Sequence, residues 1–135
     1  MKGEQYLRAA YAYLYIRDFE RAETAFERAI ESDPANPQYY FHASITALRS
    51  DHLDKALFLA KEALRLAPDN ELYLEHVNMV EASMLTVDGQ QALENGDVDL
   101  AKANFQRALE RNPLDNTAAD ALAILEPTAE CQREN

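Results

Sequence analysis

The side chains of this 135-residue chain that could do chemistry are three histidines, one cysteine, seven tyrosines and 24 acidic residues. A zinc site needs three or four His, Cys or carboxylate ligands brought together, as an HExxH turn or paired cysteines do. His42, His52 and His76 have no such partner nearby in the chain, so no metal and no cofactor is expected, and the three histidines read as surface residues. Cys131 is the single cysteine; it cannot form an intramolecular disulfide and suits a reducing compartment. The chain has no glycine-rich phosphate loop, no GxSxG turn and no nucleophile beside a base, so no catalytic residue is assigned and the chain is read as not an enzyme. The tyrosines clustered in AAYAYLYI offer ring area for packing and for a binding surface. In ERAETAFERAIE, opposite charges three or four residues apart support a solvated helix face.

Charge narrows the partner. A formal net charge of -11 repels phosphate backbones and anionic headgroups, which leaves a protein or peptide ligand and argues against nucleic acid and membrane. No stretch approaches the roughly 18 apolar residues of a membrane helix, and MKGEQYLRAAYAYL lacks an apolar run with a cleavage site, so a cytoplasmic location is expected. With 47% hydrophobic residues, 3 Gly and 5 Pro, the composition is that of an ordered, helix-rich domain.

The elements that would present these side chains follow from self-similarity. ERAETAFERAIESDP ending at Pro34, DKALFLAKEALRLAP ending at Pro68 and DLAKANFQRALERNP ending at Pro113 share one template. The first two are offset by 34 residues: Ala22 with Ala56, Ala29 with Ala63, Ile30 with Leu64. The third lies 45 residues beyond the second, 11 more than the period; three turns at about 3.6 residues each absorb such an insertion in phase. Small residues must sit where two helices cross at 8 to 10 Å, so Ala10, Ser44 and Gly89 are expected to face Ala22, Ala56 and Ala101. Phe26 and Phe105 fill the space between pairs. The prolines end helices, and Asn36 and Asn70 can cap the next.

In repeat one Tyr6, Ala10, Tyr13, Ala22, Phe26, Ala29 and Pro34, in repeat two Tyr40, Ser44, Ala47, Ala56, Ala60, Ala63 and Pro68, and in repeat three Leu85, Gly89, Ala92, Ala101, Phe105, Ala108 and Pro113 resemble the tetratricopeptide repeat pattern. Ala60 departs from it, standing where a larger residue is usual. The fold expected is all-α, a right-handed superhelical stack of about three helix-turn-helix repeats with an extended first helix in repeat three and a capping helix at the end. Helices are placed near 3–16, 19–32, 37–50, 53–66, 71–95, 98–111 and 116–126. One domain spans 1–126, with repeats at about 3–36, 37–70 and 71–115 and the cap at 116–126; residues 127–135 form a flexible tail. The stripe Tyr73, Val77, Val80 or Leu74, Val77, Val80 makes the insertion a lengthened helix, with a kink conceivable at Asp88 and Gly89.

The resemblance implies that the first helix of each pair lines a concave surface. This puts Leu7, Tyr11, Leu14 and Tyr15 of repeat one, Phe41, Ile45, Leu48 and Arg49 of repeat two, and Met79 of the long helix in one groove, with Leu72 and Glu75 beside Met79 where the first part of that helix continues the same wall. An apolar groove of this kind fits a partner helix or extended peptide, and Glu4, Glu71 and Glu75 around it favour basic flanks. Members of the family that grip carboxylate-ended chaperone tails use Lys, Asn and Arg, where this chain has Leu7, Tyr11, His42, Leu72 and His76; that role is rejected. The reading is a protein–protein interaction module or adaptor, with two alternatives: a small acidic chaperone of the kind serving bacterial secretion systems, and a structural module that closes its groove by forming a homodimer.

Overall fold

The structure, a computed structural model, describes residues 2–126. Cys131 and the expected tail at 127–135 lie outside the described residues. Seven α-helices and no strand occur among them: α1 (Lys2–Tyr15), α2 (Phe19–Ser32), α3 (Pro37–Arg49), α4 (Leu53–Leu66), α5 (Glu71–Glu94), α6 (Val98–Arg111) and α7 (Asn116–Leu125).

Five of the helices, α2, α3, α5, α6 and α7, start where a short polar side chain replaces a missing backbone acceptor, whereas His52 before α4 makes no such bond. Asp18, Asn36, Asn70, Asp97 and Asp115 accept the amides of Arg21, Gln38, Tyr73, Leu100 and Ala118, satisfying first-turn donors that have no partner within the helix. Pro37 follows Asn36 at the first helical position, where its fixed φ suits a helix and its absent N–H is not missed. The helices preceding Pro34, Pro68 and Pro113 stop at Ser32, Leu66 and Arg111.

Within each hairpin the turn is the same. Arg17, Asp51 and Gly96 take φ of 60°, 62° and 80°. The amides of Asp18, His52 and Asp97 then reach back to the carbonyls of Tyr13, Ala47 and Ala92, while those of Arg17, Asp51 and Gly96 reach Leu14, Leu48 and Leu93. This is the paired bonding of a helix ending in a left-handed residue. The third hairpin uses glycine for it; the first two hold an ordinary residue in a conformation that costs about 1 kcal/mol.

The contacts divide the chain into two compact units, Met1–Val80 and Glu81–Asn135. In the first, Ala10, Ala22, Ala29, Ala47, Ala56 and Ala63 are completely buried, so α1 with α2, and α3 with α4, pack as pairs, and α2 lies on α3. Phe26 is fully enclosed; Leu59, Tyr73, Val77 and Val80 complete this core. Ala60 is buried in it as well. Of the two stripes open for α5, Tyr73, Val77 and Val80 turn inward, while Leu74 is exposed.

The second unit has its own core of Ala82, Ala92, Ala101, Phe105, Ala108 and Ala118, with Leu85, Leu122 and Leu125 packed against it. Gly89 lets the Phe105 ring approach so closely that a Cβ there would stand 2.7 Å from it. α5 runs without a break through Asp88 and Gly89. α7 packs on α6 and is held by the Thr86 hydroxyl donating to the Asp115 carboxylate at 2.7 Å.

Candidate partner-binding site

In the first unit the initial helices of successive pairs meet through rings. The Tyr11 ring of α1 stands 5.4 Å from the His42 ring of α3, and the Phe41 ring of α3 stands 5.0 Å from Tyr73 and 5.1 Å from His76 on α5. Aromatic pairs at these separations hold helices in register beyond what area alone gives. Beside this row Phe41, Ile45, Leu72, Glu75, His76 and Met79 line a cleft of about 300 Å³.

Three of the nine groove residues expected from sequence therefore come together here: Phe41, Ile45 and Met79. Leu72 and Glu75 join them because they lie one turn before His76 and Met79 on α5. Leu7, Leu14 and Leu48 are partly buried against the core, so much of their surface is used in packing. Tyr11 is 43% exposed and Tyr15 90%; Arg49 is exposed at the end of α3. These do not line the cleft.

Two of the three histidines depart from the surface positions expected of them. His52 is exposed and bonds the Glu23 carboxylate at 3.0 Å. His42 is half-buried and His76 is 5% exposed. The helical spacing carried the signal: His76 falls three residues after Tyr73 and four before Val80, on the inward stripe of α5.

Burial settles the state of His76. The Ser44 hydroxyl lies 2.7 Å from the Ala56 carbonyl, which can only accept, so its single proton is committed there. Its oxygen therefore accepts from His76 Nε2–H at 2.8 Å, tying α5 to α3 and α4. Desolvation lowers the pKa of His76 and of His42, keeping both imidazoles neutral at pH 7. Desolvation raises that of the Tyr11 hydroxyl. Ser44 is completely buried and no substrate can reach it; the pair is structural.

A charged cluster bonds α2 to α4 elsewhere. Lys55 reaches Glu23 at 3.2 Å and Glu27 at 2.6 Å. Burial pushes the Glu23 pKa up, but the hydrogen bond and charge of Lys55, with Ser50 and His52, outweigh it and the net shift is downward. Among the described residues no group of three or more His, Cys, Asp or Glu is placed to hold a metal ion, and no helix is long and apolar enough to cross a membrane.

Paired antiparallel helices recurring with one turn geometry define a helical-hairpin repeat protein with an apolar cleft on the first helices of its pairs. The tetratricopeptide repeat family model matches residues 7–71 and 88–126, more than half of the chain. The chain belongs to the tetratricopeptide repeat family and is a protein–protein interaction module.

Among curated proteins it is 33% identical over 84 residues to human protein IFIT1 homolog B, covering 56% of this chain and 17% of that protein. It is 31% identical over 97 residues to the human antiviral innate immune response effector IFIT1, covering 66% and 20%. To the Dictyostelium discoideum STIP1 homolog it is 29% identical over 111 residues, covering 81% and 20%. The chain thus spans about a fifth of these relatives. Among solved structures the fold is similar to the Arabidopsis OM64 tetratricopeptide domain, with a TM-score of 0.58 at 20% identity over 92% of this chain and 93% of that one. It is also similar to the first tetratricopeptide domain of Spaghetti (RPAP3) bound to the HSP90 peptide SRMEEVD, with a TM-score of 0.50 at 16% identity, covering 92% and 90%.

Proposed function

We propose that this chain is an adaptor that holds an apolar segment of a partner protein, a helix or an extended peptide, in the cleft between α3 and the start of α5. The observation that carries this reading is the cleft itself: Phe41, Ile45, Leu72 and Met79 leave an open apolar hollow of about 300 Å³, with Leu72 56% and Met79 38% exposed. Apolar area gathered in a hollow is a place where a partner gains binding energy by displacing water. Glu75 at the cleft and the net charge of -11 favour basic residues beside the apolar anchor.

The same residues argue against a carboxylate-ended ligand. A solved neighbour carries the acidic peptide SRMEEVD; here Leu72, Glu75 and His76 stand at the cleft, and none is a cation at pH 7. Binding without catalysis is consistent with the buried Ser44 and the neutral His76.

Purification of the tagged chain from its native host, with partners identified by mass spectrometry, tests the reading through paired variants. Ile45→Glu and Leu72→Glu should each reduce the captured partner at least tenfold, while Lys61→Glu on α4 leaves it unchanged and all three keep the wild-type helical spectrum. If both cleft variants retain the partner, the cleft is not the site. If light scattering shows that the cleft variants instead abolish a dimer of this chain, the occupant is a second copy and the adaptor reading fails.

A further inference from the structure

His76 carries more information than an apolar cleft requires. Its Nε2–H is used on Ser44, so in the neutral ring Nδ1 is a hydrogen-bond acceptor. No hydrogen bond to Nδ1 occurs among the described residues, although His76 is 5% exposed, and no fully buried side-chain nitrogen or oxygen among them lacks a partner. Nδ1 is therefore not sealed from solvent, and His76 is one of the residues that line the cleft with Phe41, Ile45, Leu72 and Met79. The hollow has apolar walls, one imidazole, His76, and one carboxylate, Glu75.

We propose that this cleft is a socket for a single aromatic side chain carrying an N–H or O–H donor, the indole of tryptophan or the phenol of tyrosine, on a partner segment with Lys or Arg beside it. The proposal rests on the adaptor reading above and specifies its ligand. An aliphatic or phenyl anchor would close over the Nδ1 lone pair and remove its access to water without replacing the bond, which a site of this kind penalises. An indole or phenol fills the walls with its ring and satisfies the acceptor with its edge. About 300 Å³ admits one such ring. Phe41 offers a face for it, and Glu75 meets the neighbouring cation. The neutral state of His76, kept by desolvation, holds the acceptor available at pH 7.

Methyl NMR of the full chain, titrated with matched pairs of small molecules, reads the socket directly. Indole and p-cresol carry the donor; 1-methylindole and 4-methylanisole present similar rings without it. The expected result is movement of the Ile45, Leu72 and Met79 methyl signals, with each donor compound binding at least about fivefold more tightly than its methylated counterpart and shifting the His76 Nδ1 nitrogen resonance. The comparison on the wild-type chain needs no variant to fold; in His76→Phe, if folded, the preference disappears. Equal affinities within each pair overturn the acceptor's role. Cleft methyls unmoved by all four compounds, while Ile45→Glu still releases the native partner, overturn the socket and leave the adaptor reading standing.

Discussion

At the residue scale the molecule turns on two imidazoles held neutral by burial. His42 and His76 have pKa values lowered below the ordinary 6.5 by desolvation. The unfolded chain takes up protons at about that value and the folded chain does not, so stability falls as pH drops from about 6.5 toward the lowered folded values, and is unaffected by these groups above it. Urea denaturation should give a lower midpoint at pH 5.5 than at pH 7.5, with the difference reduced in His76→Phe. A midpoint unchanged between the two would mean that neither ring is desolvated. Glu23 does not blur this window: its net downward shift from 4.5 contributes stability that is lost only at lower pH. Ser44→Ala, which strips His76 Nε2–H of its acceptor, should cost about 1–3 kcal/mol in the same assay. The sequence showed Ser44 as a small residue at a crossing, but not that its hydroxyl would join three helices, because that bond needs α5 in place. His76 was legible as an inward position and was misread through its polarity.

At the scale of elements the 34-residue offset and the prolines made the helices readable to within about a residue at each end. Packing and capping chemistry there is local, or repeats in phase. What spacing did not show is the left-handed residue closing the first two hairpins, since Arg17 is not a type that announces it and Asp51 does so only weakly beside a glycine such as Gly96. Asp51→Gly should stabilise the first unit by about 0.5–1 kcal/mol, because glycine takes φ of 62° without strain; thermal melting checks it, and a loss of stability would contradict the turn. Gly89→Leu should have the opposite effect in the second unit. A side chain there runs into the Phe105 ring, and overpacking of this kind costs about 1–3 kcal/mol or more.

For the whole molecule, the groove was legible as a set of apolar positions on first helices, but its extent was not. Leu7, Leu14 and Leu48 divide their surface between packing and solvent, and only coordinates show how much of each the core takes. The cleft that remains is apolar with a single carboxylate, in a chain of net charge -11. That charge predicts that the acidic peptide SRMEEVD, seen on a structural neighbour, will show no saturable binding by calorimetry up to millimolar concentration. Site-specific photo-crosslinking in the native host tests the central claim most directly, with a photoreactive residue placed at Leu72 in the cleft or at Phe58, which is 62% exposed on α4. The account predicts a discrete crosslinked partner from position 72 and none from position 58. The same partner captured equally from both, or from 58 alone, would contradict it.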